Sequence, residues 1–343
     1  MRTNDTRWKL VATFLMACTL VGSVNAQVTK VGTTAAKFLS IPVGARALGM
    51  GGAFVAVASD ASAMYWNPGG TAKLTQMEAL FEHANWLADI SFNYGGLVIP
   101  LEDLGTVGVN FTSLTMPEME RTTEDYPDGT GTTFTAGSFA IGASYARDLT
   151  DWFSIGVNFK YINEYIMNSS ATGFAMDLGT LFSTPFAGLK FGAGISNFGT
   201  KMQMSGQDLL VVKPISNNAG ANQSINAALT TDAFDLPLTL RIGFAYQPID
   251  NEDQLLTIAV DALHPNDNSE SVSFGAEYTA FHRILTLRGG YKDLGMKDGD
   301  EQFTLGGGLR YEISPGIIAK VDYAFERFNR LNNVHKFGIG IMF

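Results

Sequence analysis

A chain of 343 residues with a formal net charge of −10 is long enough for one substantial domain and too acidic to favour a nucleic-acid partner. Nothing after residue 26 is apolar for the roughly 18 residues that a membrane-crossing helix needs, which excludes helical spans.

At the start of the chain, Arg2, Arg7 and Lys9 make a positive n-region, Leu10 to Val21 an apolar run, and Val24-Asn25-Ala26 a small-x-small cleavage site. Residues 1–26 are therefore expected to be a signal peptide. A lipoprotein reading at Leu15-Met16-Ala17-Cys18 competes, but the apolar run continues past Cys18. Cleavage after Ala26 removes the only cysteine, so the exported chain has no disulfide, thiol nucleophile or cysteine metal site. It keeps 317 residues and a formal charge of −12, since three basic residues and Asp5 leave with the peptide. An exported chain of this kind is a periplasmic protein, a secreted protein or a barrel.

Residues 27–75 are rich in glycine and alanine and show no strand pattern. They include Gly44-Ala45-Arg46-Ala47-Leu48-Gly49-Met50-Gly51-Gly52 and close with Met64-Tyr65-Trp66-Asn67-Pro68-Gly69-Gly70. So many small residues can pack against backbone in a confined space. The segment is expected to plug a barrel as a hatch, with Asn67, Pro68 and Gly69 in a tight turn near the interior.

From residue 76 to 343, strand-length segments carry apolar residues at every second position, broken by turn residues. Phe153-Ile155-Val157-Phe159-Tyr161, Leu238-Leu240-Ile242-Phe244-Tyr246 and Ile317-Ala319-Val321-Tyr323-Phe325 are the clearest, with small or polar residues between them except at Ile318. Fourteen such segments lie near 76–87, 89–100, 106–116, 133–147, 152–166, 172–184, 189–199, 236–248, 254–263, 270–280, 283–292, 301–312, 316–328 and 335–343. A soluble sandwich alternates similarly, but the connections separate the two. Every second one is short (Glu102-Asp103, Asp148–Asp151, Pro185–Gly188, Asp250–Asp253, Phe281-His282, Ser314-Pro315), while Pro117–Thr132 and Thr200–Asp235 on the other side are long. Short periplasmic turns opposite long outer loops mark an outer-membrane barrel. Phe337, Ile339, Ile341 and Phe343 form a last strand with a terminal aromatic, resembling the signal read by the barrel-assembly machinery. Trp86 and Trp152 stand at segment ends, where interfacial girdles are expected. The expected fold is an all-β transmembrane barrel of about 14 antiparallel strands with an N-terminal luminal hatch, in contact with the lipid bilayer of the cell outer membrane.

Chemical motifs are sparse. Gly49, Gly51 and Gly52 could suggest a phosphate-binding turn, but that needs a βαβ unit, and tight packing explains them better. His83, His264, His282 and His335 are scattered without paired-ligand spacing. Asn266-Asp267-Asn268 and Asp298-Gly299-Asp300-Glu301 are oxygen-rich but complete no calcium loop, so solvated loop is preferred. No catalytic motif stands out, and neither an enzyme nor a cofactor is expected. The long loop Thr200–Asp235 holds Leu209-Leu210-Val211-Val212 in a polar context, either buried at the barrel mouth or offered to a partner.

Phe38-Leu39, Gly44 through Val57 and Ala61-Ser62-Ala63-Met64-Tyr65-Trp66-Asn67-Pro68-Gly69-Gly70 resemble the N-terminal signature of the PorV/PorQ family. Gly69 departs from the alanine usual there. That family is similar to FadL-type long-chain fatty acid transporters, fourteen-stranded barrels with an N-terminal hatch. The resemblance implies association with type IX secretion, binding and shuttling cargo proteins that carry a C-terminal signal domain, with secretion-system components as partners. The alternative it implies is a FadL-like channel for long-chain fatty acids or other hydrophobic small molecules.

Overall fold

The computed structural model describes residues 31–186, 188–214, 216, 218, 222, 224–296, 302–328 and 331–343. The expected signal peptide at residues 1–26 and the cluster Asp298-Gly299-Asp300-Glu301 lie outside them.

Fourteen strands close into one antiparallel barrel: β1 (Glu78–Asn85), β2 (Ser91–Pro100), β3 (Thr106–Thr115), β4 (Ala136–Thr150), β5 (Phe153–Ile166), β6 (Ser169–Ser183), β7 (Leu189–Gly199), β8 (Thr239–Asp250), β9 (Leu255–Pro265), β10 (Ser271–Ala280), β11 (Leu285–Leu294), β12 (Gln302–Ser314), β13 (Ile317–Glu326) and β14 (Val334–Met342). Each pairs with its neighbours in sequence, and β14 returns to β1 with Phe337 opposite His83 and Ile339 opposite Phe81. Closure leaves no unpaired edge, which is the condition for strands to cross a layer without water.

The period of two decides what each side meets. On β5, Ser154, Asn158 and Lys160 point inward and are buried, while Ile155, Phe159 and Tyr161 point outward and are exposed. On β8, Thr239 and Arg241 are buried inside, and Leu240, Ile242, Phe244 and Tyr246 are exposed outside. Phe337, Ile339, Ile341 and Phe343 likewise face out. A belt of bare apolar side chains around a polar lumen is costly in water and favourable against hydrocarbon.

The short turns all lie at one end, and two are tighter than expected because the strands run further. β4 extends to Thr150, leaving only residues 151–152, and β12 extends to Ser314, leaving residues 315–316. At the other end, Met119–Glu120 pairs with Thr133–Phe134. In the longest loop Met202–Gln203 pairs with Ala233–Phe234, and Leu210–Lys213 with Ile225–Ala228.

Residues 31–75 occupy the lumen. Two short helices, α1 (Ala45–Gly49) and α2 (Ala63–Trp66), and 3-10 turns at Lys37–Ser40 and Pro68–Lys73 are nearly all buried against the inner wall. Small side chains allow this. Gly51 adopts φ +66°, and a Cβ there would lie 2.8 Å from the Phe274 carbonyl oxygen of β10. At Gly69 a Cβ would lie 2.7 Å from the Gly179 carbonyl oxygen of β6. These glycines therefore serve packing against the wall.

Candidate functional site

Buried backbone in the hatch must find hydrogen-bond partners without water, and inward carboxylates of the wall provide them. Glu82 of β1 accepts from the amides of Gly44 (2.6 Å) and Ala45 (2.7 Å) at the start of α1. Asp261 of β9 accepts from the Phe54 (2.7 Å) and Val55 (2.8 Å) amides. Glu164 of β5 accepts from the Ala36 amide at 2.9 Å. Asn67 is fully buried: its Nδ2 donates to the carbonyls of Val55 (2.8 Å) and Thr180 (2.9 Å), and its Oδ1 accepts from the Gly69 amide at 3.1 Å. Pro68 opens the 3-10 turn that follows. Asn67, Pro68 and Gly69 thus tie the hatch to β6.

Below the hatch, toward the short turns, a cavity of about 220 Å³ is lined by ions. Arg46 of α1 makes a two-pronged contact with Glu277 of β10 (Nε 2.8 Å, Nη2 2.7 Å) and reaches Asp60 at 3.0 Å. Glu277 also accepts from Arg288 at 2.7 Å, and Arg288 from β11 reaches Asp322 of β13 at 2.6 Å. Lys320 pairs with Glu78 at 2.6 Å. For the two hatch groups, burial opposes charge, but the attraction of Glu277 and Asp60 outweighs it for Arg46 and that of Arg46 for Asp60. Arg46 therefore titrates above its ordinary value, and the Asp60 carboxyl below its ordinary 3.8.

Above the hatch, toward the long loops, lies a different space. A cavity of about 580 Å³ is floored by Pro42, Gly51, Gly52, Tyr65 and Trp66 and walled by Phe38, Ile41, Trp86, Leu114, Leu263 and Phe328. The Trp66 indole Nε1 donates to the Val43 carbonyl at 2.7 Å, which fixes the ring, and Tyr65 meets it edge-on at 5.2 Å between centroids. Burial raises the Tyr65 hydroxyl above its ordinary pKa, so the phenol stays neutral. The cations Lys37, Arg241 and Lys292 also line this cavity. Its volume and its mainly apolar surface with polar groups set into it are those of a small-molecule pocket.

Trp86 corrects an expectation. It follows Glu78, Leu80, Glu82 and Ala84 on the inward side of β1, so it lines the cavity against Phe328 (5.9 Å) rather than standing in an outer girdle. Trp152 is exposed at the short-turn end and packs on Phe182 at 5.2 Å. The Leu209–Val212 segment is also not wholly buried: Leu209 and Val211 are half-buried, while Leu210 and Val212 on the paired arm are 48% and 63% exposed. Strand alternation sends every second residue of the arm away from the protein. The histidines stay apart, His83 with Asn93, His264 with Glu270, His282 with Asp253 and His335 with Tyr323.

Sequence reading places Arg241 inward by parity and Tyr65-Trp66 within the hatch signature, but it does not bring them together. Nor does it single out Glu82, Asp261 and Glu277. Each is a charge at an inward position, Asp261 between Val260 and Ala262, Glu277 between Ala276 and Tyr278 and Glu82 between Phe81 and His83, and a charge on the inward side of a strand is the signal by which such anchors can be found.

Comparison with solved structures finds the same fold at low identity. The Pseudomonas putida toluene transporter TodX is similar at TM-score 0.54 and 14% identity, covering 88% of this chain and 96% of that one. A Pseudomonas aeruginosa FadL homologue gives 0.52 and 12%, covering 88% and 98%, and the Ralstonia pickettii toluene transporter TbuX 0.53 and 12%, covering 88% and 97%. Comparison with curated proteins gives no match. The family model that matches covers residues 13–343, hatch and barrel together, and the chain belongs to the uncharacterised protein family UPF0164.

Proposed function

We propose that this protein is an outer-membrane channel that admits hydrophobic small molecules, without chemistry of its own. The carrying observation is the aromatic-walled cavity of about 580 Å³ at the loop end of the lumen, closed beneath by the hatch. An apolar solute entering it removes its surface from water at a gain of roughly 25 cal/mol per Å² and meets Trp66, Tyr65 and Phe38 in place of solvent. The hatch then stands between this cavity and the ionic one below. It is tied to the wall by directed contacts that include Glu82, Asp261, Glu277 and Asn67, and passage requires that α1 shift against them. That barrels of the same fold include proteins described as toluene transporters supports this reading. Calorimetric titration of 1-dodecanol into the protein in lipid nanodiscs is expected to give saturable binding that Trp66→Ala weakens about tenfold or more, since it removes a buried aromatic wall. Absence of saturable binding for dodecanol, dodecanoate and toluene alike would refute the proposal.

A second reading rests on the outer hairpin. The signature's resemblance to PorV/PorQ implies handling of secreted cargo, and the exposed Leu210 and Val212 on Leu210–Lys213 are apolar groups that a protein partner would cover. Both readings place the protein in the outer membrane, exported by the leader at residues 1–26.

A further inference from the structure

We infer that the hatch is the clip that closes the barrel: its Pro42–Ala45 segment bridges the first and last strands on the inner face of their seam, so that the seam is held by a seated hatch. This goes beyond the channel reading and does not depend on it.

β1 and β14 are the neighbouring strands that no turn or loop connects, so bringing them together carries the largest loop-closure entropy in the barrel. They pair over eight residues, with further mutual main-chain bonds between Met77 and Phe343 at 3.0 Å, whereas β4 and β5 pair over fourteen. Inward, β1 offers Glu78, Leu80 and Glu82, and β14 offers Lys336, Gly338 and Gly340. The two glycines give β14 no side chain with which to grip its neighbour. What lies over them does so instead.

The hatch lies over Gly338. Lys336 is fully buried, donates to the Pro42 carbonyl and sets its ammonium 4.8 Å from the Phe92 ring centroid. Glu82, on the opposite strand, accepts from the Gly44 and Ala45 amides at 2.6 and 2.7 Å. One four-residue piece of hatch is thereby held by the last strand at one end and by the first at the other. A Cβ on Gly338 would lie 3.1 Å from Glu82 Oε1 and 3.7 Å from the Ala45 Cβ, so nothing larger than hydrogen separates hatch from strand. Over Gly340 runs a second bridge. Lys320 of β13 stands beside Gly340 and reaches Glu78 of β1 at 2.6 Å, crossing the strand between them.

Parting the two strands with the hatch seated would strand one buried charge or the other, Lys336 without its carbonyl or Glu82 without its amides. The competing account is that the main-chain ladder closes the seam by itself and these contacts only hold the hatch. It predicts that losing the bridge leaves the seam unchanged.

Hydrogen–deuterium exchange of the protein in lipid nanodiscs reads each strand pair separately. Lys336→Met and Glu82→Gln each remove one arm of the bridge. Both are expected to speed exchange of the 78–85 and 334–342 amides about tenfold or more, the size of one hydrogen bond to a charged group, and to leave 255–265 on β9 as in wild type. Asp261→Asn weakens the hatch's hold on β9 through Phe54 and Val55, and should not touch the seam. Seam exchange that stays at the wild-type rate, or that rises equally with Asp261→Asn, overturns the inference. Should a variant fail to assemble, adding Phe81→Cys and Ile339→Cys, which face each other across the seam, ties it by a disulfide instead. Recovery of the fast-migrating folded form on unboiled, non-reducing gels then supports the clip, and no recovery overturns it.

Discussion

The hatch separates two cavities with different linings. On the short-turn side, Arg46, Arg288 and Lys320 each lie within 3 Å of a carboxylate, beside Leu80, Leu255, Leu309 and Met342. On the loop side aromatic and aliphatic side chains dominate, and Arg241 lies against the rings of Tyr65 and Trp66 and donates to the Ser196 hydroxyl. The hatch itself produces the contrast, since α1 sends Arg46 to one face and α2 ends with Tyr65 and Trp66 on the other. Compensated charge fastens, because breaking it strands a buried ion.

The comparison breaks most severely at Glu277. Glu277→Ala removes the shared acceptor of Arg46 and Arg288, and loss of one partner from a buried ion cluster costs about 3–5 kcal/mol. The expected result is an assembled barrel, still heat-modifiable on gels, with raised single-channel conductance because α1 loses its anchor on β10 and keeps only those at Glu82 and Asp60. Unchanged conductance would show that the ion cluster does not fasten the hatch.

A smaller effect is expected from Asn67→Ala, which strands the Val55 and Thr180 carbonyls and the Gly69 amide at a cost of about 1–3 kcal/mol. A cysteine placed at the buried Ala56 should then react faster with a bulky hydrophilic maleimide. Equal labelling rates with and without the change would mean that this turn is not what ties the hatch to β6.

The smallest structural effect belongs to the outer hairpin. Replacing Leu210 and Val212 together by serine should alter stability by less than about 0.5 kcal/mol per site, because both side chains are exposed, and should leave dodecanol binding as it was. Retention of exported proteins bearing the C-terminal signal, measured by co-purification, separates the two functional readings. If wild type retains them and the double variant does not, the hairpin carries a cargo-binding function.

The strands were legible because alternation is a local property: Phe153 to Tyr161 announces β5 and its facing from one stretch of chain. Turn lengths were legible by parity, though the strands overrun their expected ends at Thr150 and Ser314, where pairing with the neighbour continues past the last apolar residue. Trp86 was misread because a tryptophan at a strand end suits either a lipid interface or a lumen mouth, and only its parity on β1 decides. The loop around Leu209–Val212 was legible as unusual but not as a hairpin, since its partner Ile225–Ala228 lies beyond a polar stretch with no strand period.

What the sequence by itself determined is the barrel: strand number, facing and the sorting of short and long connections follow from a period of two and from turn residues, each set by a few neighbouring positions. Which inward charges are paired was decided only by the tertiary structure. Arg46 meets Glu277 across 231 residues of chain, and Arg241 meets the rings of Tyr65 and Trp66 from a strand more than 170 residues away. Strand parity puts Glu277 and Arg241 in the lumen, and the hatch reading puts Arg46, Tyr65 and Trp66 there. Whether a lumenal charge meets another ion or an aromatic ring depends on what the folded hatch sets beside it, because ionic interactions act over a few ångströms of space and take no account of distance along the chain.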